Sequence, residues 1–155
     1  MSTPLPVLGW KEQAALPELD IPRLRVKLDT GARSSALHVE DLEVVGTHEL
    51  DGEELPILGF TVLHGPRSHP RSNRLTVPAA GLRRVRDTRA RPEERPFIRT
   101  RVVVGPVDVV TDVTVTDRSG MNFLMLLGRR ALAGRCTIDP GRGYVVSDLD
   151  TTVGH

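Results

Sequence analysis

Cysteine, lysine, aromatic residues and long apolar runs are all scarce in this chain. Cys136 is the single cysteine, which excludes an internal disulfide and any multi-cysteine zinc site within one chain, and fits a reducing compartment. With three Phe, one Trp and one Tyr, the core has to be built from Val, Leu, Ile and Ala, a composition that favours strands. No stretch is apolar over the roughly 20 residues that a membrane-crossing helix needs, and the start lacks the basic and apolar regions of a signal peptide. A cytoplasmic protein without a membrane partner is therefore expected. Neither a Walker-type phosphate loop nor a His-Glu-x-x-His helix occurs, so no cofactor and no metal site is expected. The formal net charge is +1, and Lys11 and Lys27 are the only lysines beside many arginines. Phe97 is the only aromatic residue near the most basic stretch, which argues against a nucleic-acid partner.

What is present centres on residues 24–38. Leu24, Val26 and Leu28 alternate with Arg25 and Lys27, the period-two signature of a half-buried strand. That strand runs into Asp29-Thr30-Gly31, where glycine allows a sharp turn and a carboxylate is presented at the strand end. About a hundred residues later the apolar run Phe123-Leu124-Met125-Leu126-Leu127 ends on Gly128-Arg129 and leads into Arg130-Ala131-Leu132. An apolar strand, a glycine and a short helix form a second motif that matches the first.

Together, Leu28-Asp29-Thr30-Gly31-Ala32 and Leu126-Leu127-Gly128-Arg129 resemble one subunit of a retropepsin-type aspartic peptidase. With Val7-Leu8-Gly9-Trp10, Leu16-Pro17-Glu18-Leu19, Arg95-Pro96-Phe97-Ile98 and Asp139-Pro140, the chain resembles more closely a bacterial retropepsin-like family labelled ATP-dependent zinc proteases. That family is a companion of RimK-type ATP-grasp ligases that add glutamate to a ribosomal protein. The resemblance covers about residues 6–148. It implies an all-β, closed acid-protease barrel, a single lobe with one short helix. It also implies catalytic Asp29, Thr30 and Gly31, and a functional link to such a ligase. Any ATP dependence would belong to the ligase, since the chain carries no phosphate loop.

The remaining pattern fits one domain over residues 1–155, with a core at about 6–148 and a frayed tail at 149–155. About nine short strands are expected. They include 7–12, 24–28, 36–45, a two-stranded insert turning at Asp51-Gly52, 107–116 and 123–127, and a last pair, 135–138 and 143–147, flanking a turn at 139–141. Residues 16–22 read as an irregular connector and 64–73 as a mobile loop. A helical turn at 129–133 is expected to end at Gly134. Residues 83–101 read as a basic hairpin with its tip near 90–94. Its eight arginines (83, 84, 86, 89, 91, 95, 99, 101) and three acids (87, 93, 94) give 8 − 3 = +5. This hairpin takes the position of a retropepsin flap.

Acid proteases need two carboxylates about 3 Å apart sharing one proton. One Asp-Thr-Gly per chain therefore implies a homodimer with Asp29 near the two-fold axis. Gly128 would let the apolar strand pass behind the motif. Ala32, Arg33, Arg89, Arg91, Gly128 and Arg129 are the candidate substrate contacts, and Arg33 is placed either against an acidic substrate or against Glu94. The favoured function is aspartic endopeptidase action on peptide or protein substrates, acidic or glutamate-modified ones among them. The alternatives are a zinc-dependent peptidase using His38 and Asp29, and a non-catalytic binding module of a ligase system. A structural role is the commoner one for a lone histidine such as His38. His48, His64, His69 and His155 have no regular metal spacing, and Cys136 reads as a small buried residue on a strand.

Overall fold

Residues 4–86, 92–117 and 123–147 are described by the computed structural model. In chain order they form β1 (Val7–Gly9), β2 (Lys11–Leu16), a 3-10 turn at Pro17–Leu19, β3 (Ile21–Leu28), β4 (Ser35–His38), β5 (Glu40–Leu50), β6 (Glu53–His64) and β7 (Arg71–Pro78). Then follow β8 (Gly81–Arg86), β9 (Pro92–Val104), β10 (Val107–Thr116), β11 (Met125–Leu127), α1 (Arg129–Leu132) and β12 (Thr137–Asp139). Strands β10, β4, β11, β3, β2 and β9 are neighbours in that order, and β9 pairs again with β10. Six strands thus close into a barrel, and β8 lies outside against β9. The all-β, retropepsin-like barrel with one short helix is what the family resemblance implied, with twelve strands among the described residues rather than about nine.

Alternation builds the core. On β10, Val107, Val109, Val113 and Val115 are buried while Asp108 and Val110 face solvent, and Leu24, Val26 and Leu28 of β3 point inward beside Met125 and Leu127 of β11. Each fully buried Val or Leu contributes about 2 kcal/mol of transfer free energy. Arg25 departs from the simple pattern, because it is also buried and its guanidinium lies 4.1 Å from the centre of the Phe123 ring. A strand covered on both faces does not alternate cleanly.

Several element boundaries differ from the sequence reading. The first strand breaks at Trp10 into β1 and β2, and the expected strand at 36–45 divides into β4 and β5 around Val39. The insert has three strands: β5 and β6 turn at Asp51-Gly52 with φ of 52° and 80°, and β7 adds to β6. Residues 71–73, taken as loop, belong to β7. In the basic hairpin the strand resumes at Pro92, inside the segment assigned to the tip, while 87–91 lie outside the described residues. Residues 123 and 124 precede the strand β11. The helical turn ends near Gly134 at φ 77°, as expected.

The chain end is arranged differently from a hairpin. β12 pairs in parallel with β1, matching Val7 to Thr137 and Gly9 to Asp139, and Cys136 lies just before it. Residues 143–147 form no strand and wrap around Glu12 instead. The expected tail, 149–155, lies outside the described residues.

Candidate active site

The apolar alternation of β3 delivers its last residue, Leu28, to a parallel pairing with Leu127, so the two sequence motifs end side by side. The Leu28 N–H donates to the Trp10 carbonyl at 2.8 Å and the Asp29 N–H to the Leu127 carbonyl at 2.8 Å. Beyond that point the backbone turns: Ala32 N donates to Asp29 O at 3.2 Å, and Gly31 N donates to Asp29 Oδ1 at 2.9 Å. Asp29 is half-buried, whereas Thr30 and Gly31 are exposed. One carboxylate oxygen is thereby aimed by its own turn, leaving Oδ2 as the further acceptor.

A second layer of bonds fastens this turn to α1. Arg129 N donates to Ala32 O at 2.8 Å, and Arg130 N to Arg33 O at 3.1 Å. The Arg129 guanidinium donates to the carbonyls of Thr30 and Gly31 at 3.1 and 3.3 Å. Arg129, read from sequence as a substrate contact, braces the turn in this geometry. Gly128 N donates to Ser35 Oγ at 3.1 Å. Of the other candidate contacts, Ala32 is half-buried beneath the turn and Arg33 is exposed. Arg89 and Arg91 lie outside the described residues.

Gly128 has a steric reason to be glycine. A Cβ there would sit 2.5 Å from the Ser34 carbonyl oxygen and 2.8 Å from its nitrogen, and both are backbone atoms that cannot swing away. Gly128→Ala is expected to cost about 3 kcal/mol, since overpacking of this kind forces backbone displacement. Chemical denaturation measures this directly. A loss below about 0.5 kcal/mol would mean that the turn is not wedged against β11.

Pattern alone missed Glu12. It is fully buried on β2, where an isolated acid in a strand normally faces water. Its Oε2 accepts Gly9 N at 2.7 Å and Val145 N at 2.9 Å, and its Oε1 accepts the Ser147 hydroxyl at 2.6 Å. Ser147 Oγ in turn accepts Gln13 N at 2.8 Å. Glu12 thus ties 145–147 to the strand beside β3. Lys11, next to it, lies 5.0 Å from the Trp10 ring centre and 5.4 Å from that of Tyr144.

Among the described residues no three His, Cys, Asp or Glu side chains converge. His38 is half-buried and its backbone N–H donates to Leu124 O at 2.7 Å, a structural place in the barrel wall. Burial pushes the Cys136 thiol up from its ordinary value.

Residues 7–148 match the RimB-like family, described as retropepsin-like aspartic endopeptidase RimB. The chain belongs to this family. RimB-like membership agrees with the barrel and with Asp29 at the end of β3. The chain is also 31% identical over 149 residues to a probable alpha-L-glutamate ligase of Parasynechococcus marenigrum, covering 92% of this chain and 30% of that protein. It is 33% identical over 140 residues to one of Desulfotalea psychrophila, covering 86% of this chain and 28% of that protein. The chain thus spans less than a third of these curated relatives. A Legionella pneumophila protein of unknown function has a similar crystal structure, with a TM-score of 0.66, 26% identity, and 91% of this chain and 98% of that one covered.

Proposed function

We propose that the protein is one half of a dimeric aspartic endopeptidase, with Asp29 of each copy sharing one proton across a two-fold axis. The observation that carries the reading is the Asp29 carboxylate at a strand end, oriented by Gly31 N and locked to the Gly128-Arg129 turn in a RimB-like chain. In such a pair the ionised carboxylate takes a proton from water as the water oxygen attacks the peptide carbonyl carbon. The protonated partner gives its proton to the carbonyl oxygen. Collapse of the resulting diol breaks the C–N bond as the newly ionised carboxylate takes a hydroxyl proton and the newly protonated one gives its proton to the leaving amine nitrogen. One chain supplies a single Asp-Thr-Gly, so the second carboxylate comes from a second copy.

An apolar depression of about 390 Å³ supports the dimer. It lies next to Thr30 and is lined by Leu132, Ala133, Cys136 and Ile138, and β12 carries it towards the exposed Val7 through the β1 pairing. Apolar surface beside a site is what a second copy would cover.

If the basic stretch 83–101 serves as the flap of this dyad, its arginines, Arg89 and Arg91 among them, would attract acidic peptides. The names of the ligase relatives favour glutamate-rich substrates and a functional link to a glutamate ligase. Cleavage of a glutamate-rich peptide is expected with a KM that rises with added salt, because exposed charges are screened within about 10 Å at 0.1 M. Steady-state kinetics on matched glutamate and glutamine peptides tests this. Equal turnover with no salt dependence would remove the acidic-substrate part of the proposal. The same relatives also suit a non-catalytic module of a ligase system, which would keep its function in Asp29→Asn.

A further inference from the structure

A small cavity of about 180 Å³ lies against the turn that follows Asp29, at the base of the β8–β9 hairpin and the start of α1. Three separate elements send arginines to it: Arg83 from β8, Arg99 from β9 and Arg130 from α1. Ser34 and Asp112 complete its polar lining with Thr111. Asp112 is the single acid there, and its Oδ1 accepts Arg99 Nε at 2.8 Å. The lining therefore carries a surplus of 3 − 1 = +2. The Arg83 guanidinium carbon lies 5.4 Å from the Phe97 ring centre, a stacking that steadies the side chain while leaving N–H donors at its edge. Arg130 is held through its backbone bond to Arg33 O at 3.1 Å.

Guanidinium groups gathered from three elements repel one another, and one acid cannot neutralise them. An entering anion would remove that repulsion and accept charge-assisted hydrogen bonds. The cavity has room for a carboxylate side chain, and its position limits which one. Ser34 is five residues after Asp29, so the cavity floor is at most about 17 Å from the carboxylate along the chain. An extended peptide advances about 3.3 Å per residue, which places the bound side chain within about five residues of the scissile bond.

We propose that the cavity formed by Ser34, Arg83, Arg99 and Arg130 is a carboxylate subsite that receives a glutamate side chain of the bound peptide. This rests on the endopeptidase reading above but assigns the selectivity to residues at the base of the hairpin, apart from Arg89 and Arg91. Arg83 and Arg130 make the discriminating contacts, because Arg99 is already committed to Asp112.

Binding separates the two ideas. Fluorescence anisotropy on the Asp29→Asn protein, which cannot turn the peptide over, compares a fluorescein-labelled tetraglutamate peptide with its tetraglutamine counterpart. The glutamate peptide is expected to bind more tightly. In Arg83→Gln/Arg130→Gln that preference is expected to fall by about tenfold or more, as two charge-assisted bonds are lost. The Arg83→Lys/Arg130→Lys protein keeps both charges and is expected to keep most of the preference, which controls for folding. Arg71→Gln removes one charge at a different depression and is expected to keep the preference. Retention of the preference in the double glutamine variant, or an equal loss in Arg71→Gln, would overturn the subsite. Failure of wild-type cleavage alone would strike the endopeptidase reading and leave the binding result standing.

Discussion

Asp29→Asn is expected to reduce peptide cleavage by at least about a thousandfold, because in the proposed dyad it removes the group that both activates water and protonates the carbonyl oxygen. The fold should survive. The substituted amide keeps an oxygen that can accept the Gly31 N–H, which lies 2.9 Å from Oδ1 of Asp29, and the backbone bond to Leu127 O is unaffected. In a dimer the change also relieves the closeness of two carboxylates, so the melting temperature should be unchanged or slightly higher. Paired measurements of kcat/KM and thermal unfolding check both parts. A fall of several degrees with activity retained would reassign Asp29 to a purely structural turn.

Glu12→Ala carries the largest expected loss of stability. The substitution removes the acceptor for Gly9 N, Val145 N, Val146 N and the Ser147 hydroxyl at once. Bonds to a charged acceptor are worth about 1.5–3 kcal/mol each, and entry of water offsets part of the loss, which leaves about 4 kcal/mol. Glu12→Gln is nearly the same shape but turns an amide donor towards groups that already donate, so it too should be costly. Denaturant unfolding gives both values. A cost below about 1 kcal/mol for Glu12→Ala would show that 143–147 holds itself in place without the carboxylate.

The difference between these two residues shows what was legible beforehand. Asp29 could be found because its surroundings are local: alternating Leu24, Val26 and Leu28, then a glycine that permits the turn. Its distant partner was also visible, since Leu126-Leu127-Gly128-Arg129 is a motif in its own right. Glu12 has no such local sign. Its burial is set by Val145, 133 residues away, and a strand acid with no apolar neighbour pattern reads as solvent-facing. β7 was missed for the opposite reason. Arg71, Ser72, Arg74, Thr76 and Pro78 are exposed, so the strand is recognised through its pairing with β6 rather than through burial. The end of the chain went astray because Asp139-Pro140-Gly141 does turn, while the partner of β12 is β1 from the other end of the sequence.

The shared-dyad dimer is tested most directly by mixing. Wild-type protein is equilibrated with increasing amounts of Asp29→Asn, and peptide cleavage is measured per wild-type chain. If each site needs Asp29 from both copies, mixed dimers are inactive, and roughly a ninefold excess of the variant should lower activity per wild-type chain by about tenfold. Activity per wild-type chain that stays constant at every ratio would contradict a catalytic dyad built across two copies.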